Sequence, residues 1–89
     1  MSIIGTKWKP IIVYILQHRK VRFGQLDALI PLITRKVLTE QLKELEDDGI
    51  VIRQAFNETP PRVEYSLSKK GESLREIMEL MSEWSRKNI

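Results

Sequence analysis

Two helical patterns with only four residues between them occupy the middle of the chain and leave it few ways to fold. Phe23, Leu26, Leu29 and Ile30 recur at helical spacing over residues 23–30. Pro31 ends that run, because it turns the residue before it away from the helical region. Thr34 has the side chain of an N-cap for a second helix over residues 35–48, which Gly49 closes. At about 100° per residue, Val37, Leu38, Leu42 and Leu45 fall within one arc of roughly 140°, the width of a core-facing stripe. Two short helices with the link Pro31-Leu32-Ile33-Thr34 have helix-turn-helix proportions. The chain beyond Gly49 is β-rich. Residues 50–56 form one strand, and residues 62–67 alternate Val63, Tyr65 and Leu67 inward against Arg62, Glu64 and Ser66 outward. The loop Asn57-Glu58-Thr59-Pro60-Pro61 joins them as a stiff hairpin. A hairpin after the second helix makes a winged helix.

The outer segments add a helix at each end. Thr6 can cap the first, over residues 7–18, with Pro10 tolerated in or beside the first turn. Ile11, Ile12, Val13, Tyr14, Ile15 and Leu16 cover nearly every side of it, so it must be buried on more than one side. Ser68 caps the last helix, residues 69–87, where Leu74, Ile77, Met81 and Trp84 recur at 3-4-3 spacing and Met78 and Leu80 broaden the seam. The fold expected is α+β and mainly α: a winged helix-turn-helix, one domain over residues 1–89, with its two terminal helices forming a homodimer interface. Trp8, Ile12, Ile15, Leu74, Ile77, Met81 and Trp84 are the residues read into that interface.

Composition narrows the function. Eighty-nine residues are too few for two domains of the usual size of about 100 or more. The longest apolar run is six residues, whereas a membrane helix needs about 20, and no export signal opens the chain, so a cytoplasmic protein is expected. There is no cysteine and one histidine, His18, which removes disulfides, thiol chemistry and the common zinc sites. Chelators and thiol reagents are expected to leave this chain unaffected, and no cofactor is expected. No nucleophile–base pair, paired carboxylates or phosphate-cradling glycine loop suggests an enzyme. The charge is unevenly spread: residues 1–39 carry +6 and residues 40–89 carry −3, for a total of +3. Such a field suits a polyanionic partner.

In a helix-turn-helix the second helix enters the major groove with its N-terminal half nearest the bases. Opposite the core arc, that half presents Lys36, Thr39, Glu40 and Lys43, with Arg35 on the flank, while Glu44, Glu46, Asp47 and Asp48 crowd the other end. Basic residues at a helix start oppose the helix dipole, at a cost of about 0.3–1 kcal/mol per charge, so helix stability alone does not account for them. A nucleic-acid partner does. The competing reading is a solvated face held by Lys36–Glu40 and Lys43–Asp47 pairs, worth about 0.2–0.5 kcal/mol each. The residues read as DNA-facing are Arg22, Thr34, Arg35, Lys36, Thr39, Lys43 and Arg62, the last on a wing over residues 53–65. Arg22 suits a backbone phosphate and Arg62 a phosphate or narrow minor groove, with plain solvated charge the alternative at each. His18 reads as a surface or cap residue, Trp8 and Trp84 as packing rather than an aromatic box, and Met78 and Met81 as gap-fillers. Double-stranded DNA with an inverted-repeat operator is therefore the expected partner of a regulator. A protein-interaction module on the same fold is the alternative.

Several stretches resemble HxlR-type winged-helix regulators of the MarR-like kind. Gly5-Thr6-Lys7-Trp8 before an apolar helix is one, and Arg22-Phe23-Gly24-Gln25-Leu26 is another. Val37-Leu38-Thr39-Glu40-Gln41-Leu42-Lys43-Glu44-Leu45-Glu46 with Gly49 continues the match. The most specific stretch is Pro60-Pro61-Arg62-Val63-Glu64-Tyr65-Ser66-Leu67-Ser68-Lys69-Lys70-Gly71. The resemblance implies a dimeric bacterial or archaeal transcription regulator whose first and last helices build the dimer. It also implies that helix 35–48 reads the major groove and that the Arg62 hairpin is the wing. Members that sense aldehydes, quinones or oxidants carry a cysteine just before the first helix; this chain has none, so that mechanism does not carry over. Many members also have a proline after the recognition-helix cap, where this chain has Arg35.

Overall fold

A computed structural model describes residues 3–88, with side chains from residue 8 onward. The order is α1 (Ile3–Ile15), β1 (Val21–Arg22), α2 (Phe23–Leu29), α3 (Arg35–Asp47), β2 (Val51–Phe56), β3 (Arg62–Leu67) and α4 (Lys69–Asn88). The three strands form one antiparallel sheet in the order β1-β3-β2. The order of helices and the hairpin are those read from the sequence; β1 is new. A two-residue strand shows no period of its own, and it exists because Val21 pairs with Tyr65 and Arg22 with Glu64.

α3 is built as its residues dictate. The Thr34 hydroxyl accepts a hydrogen bond from the Val37 amide at 3.1 Å, capping the helix. Gly49 ends it at φ 77°, with the Gly49 amide on the Glu46 carbonyl and the Ile50 amide on the Leu45 carbonyl, the paired bonds of a Schellman turn. Leu38, Leu42 and Leu45 are buried and Val37 packs beside them, with Gln41 on the same face. They share one core with Ile12 and Val13 of α1, Leu16 just after it, Leu26 and Ile30 around α2, and Val51 and Tyr65 of the sheet.

The first helix departs from expectation twice. It begins at Ile3, so Thr6 lies within it rather than capping it, and Pro10 sits in its interior. Proline removes one amide donor there, yet its fixed φ near −65° is compatible with a helix that continues through it. The side chains also divide differently. Trp8 and Ile12, read from the sequence as interface residues, are buried in the chain's own core, and Ile15 is half-buried against it. A helix apolar on all sides offers no contrast by which the inner face can be told from the outer. Among the described side chains of α1, the large apolar ones that face outward are Ile11 and Tyr14.

α4 is fastened to the end of α3. The Ser68 hydroxyl accepts from the Gly71 amide at 3.0 Å and lies 2.6 Å from the Gly49 carbonyl, to which it donates. Lys70 donates from Nζ to the Asp48 carbonyl at 2.7 Å, meeting the negative end of α3. Gly71 lies so close to the Ile50 carbonyl that a Cβ would collide with it. Further along, Arg75 bridges Glu72 at 3.1 Å and Glu79 at 2.8 Å and reaches Gln17 after α1. The Arg75 hydrogen bond, assisted by the His18 backbone, holds the Glu72 carboxyl below the usual carboxylate range. Past Arg75 only Met78 of the apolar residues on α4 still packs against the core, and Ile77, Leu80, Met81 and Trp84 are exposed.

The α2–α3 turn contains one strained residue. Leu32 has φ 76° and is 90% exposed, so its side chain gains nothing from the left-handed backbone it occupies. That region costs a non-glycine residue about 1–2 kcal/mol, and part of any relief returns as extra unfolded-state entropy when glycine is introduced. Leu32→Gly should therefore stabilise the fold by roughly 0.5–1 kcal/mol, a rise of a few degrees in Tm for a domain of this size. Thermal melts of the two proteins check it; a lower Tm in the variant would mean that the exposed leucine stabilises the turn.

Candidate nucleic-acid interface

The outer face of α3 carries Lys36, Thr39, Glu40 and Lys43, all exposed. Among the described residues no carboxylate lies within ion-pair distance of Lys36 or Lys43. The Lys36–Glu40 and Lys43–Asp47 pairs that a merely solvated face invites are therefore not made. The two ammonium groups lie seven positions apart on one side of the helix, two turns of about 5.4 Å each. Glu40 lies between them on the same face, outside ion-pair distance of either, and Glu44 pairs with Lys9 of α1 at 2.6 Å.

The flanking groups are partly committed. Arg35 pairs through Nε with Asp27 of α2 at 3.1 Å, but its side chain stays largely exposed. The bond ties the start of α3 to α2 and leaves the guanidinium's terminal nitrogens to solvent. Thr39 donates its hydroxyl proton to the Arg35 carbonyl at 2.8 Å, so it can meet a base edge only as an acceptor or through its methyl group. Thr34 spends its hydroxyl on the helix cap. Arg22 precedes α2; its amide donates to the Gln25 side chain at 3.0 Å, and its own side chain is exposed. Arg22, Thr34, Arg35, Lys36, Thr39 and Lys43 are all exposed.

Arg62 behaves differently from the free wing cation expected of it. Its guanidinium carbon stands 4.0 Å from the centre of the Phe56 ring, and Glu58 and Glu64 lie at 3.2 and 3.4 Å. The side chain is only 27% exposed. Its charge is already met by two carboxylates and a ring face, so it braces the hairpin internally. Arg62, Glu64 and Ser66, read as outward, are only half-exposed; they stand on the central strand of the sheet. Sequence reading passed over Arg53, which is exposed and unpaired among the described residues. The period-two pattern of β2 was the available signal.

The candidate interface residues Leu74, Ile77, Met81 and Trp84 share one flank of α4, from half-buried Leu74 to exposed Trp84. An open groove of about 640 Å³ lies between α1 and another side of α4, bordered by Ile11, Tyr14, Met78 and Arg86 and by none of those four residues. No helix among the described residues is long and apolar enough to cross a membrane.

Comparison with known proteins places this architecture. The HTH-type transcriptional regulator YtcD of Bacillus subtilis is 45% identical over 89 residues, covering 100% of this chain and 71% of YtcD. An HTH-type transcriptional regulator of the archaeon Methanothermobacter thermautotrophicus is 42% identical over 83 residues, covering 93% of this chain and 63% of its own. The crystal structure of a MarR-family regulator from Enterococcus faecalis superposes with a TM-score of 0.88 at 39% identity, over 94% of this chain and 76% of that one. The family model described as HxlR-like helix-turn-helix matches residues 3–89. With its helix-turn-helix, braced wing and terminal helices in this arrangement, the chain belongs to the HxlR-like helix-turn-helix family of bacterial and archaeal transcription regulators.

Proposed function

We propose that this regulator binds duplex DNA sequence-specifically as a symmetric homodimer, with α3 in the major groove and the β2–β3 hairpin as the wing. The observation that carries the reading is the pair of unpaired ammonium groups, Lys36 and Lys43, on the outer face of α3. Cations left unneutralised on a helix whose opposite face is fully packed suit a phosphate or a guanine edge. The exposed apolar flank Ile77, Leu80, Met81 and Trp84, with Ile11 and Tyr14, suits a second copy of the chain. A two-fold pairing relates two α3 helices by a dyad, so the operator is an inverted repeat with half-sites about 10 bp apart or a multiple of that. The work is done in the cytoplasm and includes no catalytic step.

Selection of bound fragments from genomic DNA, followed by affinity measurements across salt, tests the reading. A steep fall of affinity with salt is the signature of phosphate contact, and its absence would favour a protein-docking module on the same fold. Lys36→Ala should cost about 1–3 kcal/mol at one base position if it reads a base, and Arg35→Ala should weaken all sequences alike if it meets phosphate. Both variants should fold, since both side chains are exposed. Unchanged affinity in both at moderate salt would overturn the assignment of α3.

A further inference from the structure

The wing carries two arginines, and the pleat sends them to opposite faces of the sheet. In β2, Val51, Arg53 and Ala55 share one face and Ile52, Gln54 and Phe56 the other. Val51 is buried against the helices, and so is Tyr65, the residue opposite Arg53 on β3. Tyr65 is also the partner of Val21, so Arg53 ends a row Val21–Tyr65–Arg53 that faces the helices. It lies two residues beyond Val51, about 6–7 Å along the strand, and there it is exposed. Its guanidinium therefore leaves the sheet on the side of α2 and α3, from a strand at the sheet's edge. Arg62 lies on the outer face, stacked on Phe56 between Glu58 and Glu64.

We propose that Arg53 is the DNA-backbone contact of the wing, and that Arg62 positions the hairpin without touching DNA. The assignment rests on the DNA-binding reading above. A phosphate approaching Arg62 meets two carboxylates as well, whereas Arg53 has no carboxylate of its own to give up. An arginine held by two acids and an aromatic face loses more on leaving its place than a free one loses on being ordered. Between the stack and the ion pairs, Arg62 joins the end of β2 to the start of β3 and keeps the wing at one angle to α3.

The test is the salt dependence of binding to the selected operator duplex, for the parent, Arg53→Gln, Arg53→Lys and Arg62→Met. Arg53→Gln should lower the slope of log K against log salt by about 0.9 per subunit, the release of one counterion, on operator and unrelated duplex alike. Arg53→Lys keeps the charge and should restore the slope. Arg62→Met keeps an apolar side chain over Phe56 and removes only the charge, so the slope should stay at the parent value even if affinity falls. A slope unchanged in Arg53→Gln, or a loss confined to Arg62→Met, overturns the proposal. A parent chain that binds no duplex at all overturns the DNA reading itself, and the two failures are thereby told apart.

Discussion

The double variant Met81→Ala, Trp84→Ala should sediment as a monomer at micromolar concentration while keeping its helical content. In the protomer these side chains are 65% and 63% exposed, so truncating them removes little that the isolated fold uses. In a two-fold pairing each is lost twice. At about 1.5–3 kcal/mol for a fully buried side chain of this size, four losses weaken the pairing by at least about 4 kcal/mol, a thousandfold in dissociation constant. DNA affinity should fall further than any single α3 contact explains, because linking two recognition helices raises apparent affinity by about 10²–10⁴. If the parent is itself monomeric at that concentration and still binds an inverted repeat tightly, the apolar flank of α4 has another partner. If the variant unfolds, the flank is part of the protomer's own stability.

Gly71→Ala should be the most damaging single methyl group added to this chain. A Cβ there meets the Ile50 carbonyl, a backbone atom that cannot rotate away, with the Leu67 side chain 3.1–3.2 Å off on another side. The same carbonyl accepts from the Ser68 amide at 3.0 Å and lies 3.1 Å from the Ser68 hydroxyl, so moving it disturbs the cap of α4 as well. Overpacking of this kind costs about 1–3 kcal/mol and a lost cap about 1 kcal/mol more. A domain of this size is stable by only about 4–13 kcal/mol, so urea unfolding should show a large shift of midpoint. Gly24→Ala is the control. Nothing lies within 4 Å of a Cβ at that position, and a helical alanine there should be neutral or stabilising. Equal midpoints for the two variants would show that α4 can shift away from Ile50 at no cost.

What the sequence made legible is what local chemistry determines. The arc of Val37, Leu38, Leu42 and Leu45, the Thr34 cap and the Gly49 stop each depend on residues a few places apart, and α3 forms as they require. The alternation of Val63, Tyr65 and Leu67 similarly sets the inner face of β3. The remainder depends on residues far apart in the chain. Glu58 beside Arg62 already weakened its case in the sequence, but the Phe56 stack arises only from the hairpin's register, Phe56 opposite Arg62. Trp8 and Ile12 looked like interface residues because nothing within α1 marks which side α3 will cover. Gly71 was part of a recognisable stretch, but its need to be glycine arises from a carbonyl twenty-one positions earlier.

For a chain that binds DNA as the proposed dimer, the fastening of α4 to α3 divides the labour of recognition in two. Ser68, Lys70 and Gly71 tie the start of α4 to the end of α3. α4 is then a boom of 20 residues, about 30 Å long, with the reading head bolted to its base. In the dimeric DNA complex proposed above, side chains on α3 would decide which bases are accepted, and the boom would decide how far apart the two copies of that sequence must stand. One extra base pair between half-sites shifts one of them by about 3.4 Å and rotates it by about 35°, and no rotamer on α3 can make up that difference. Conversely, a tilt of about 10° where two booms cross moves their bases by about 5 Å, enough to trade one operator spacing for another without altering any residue that touches DNA.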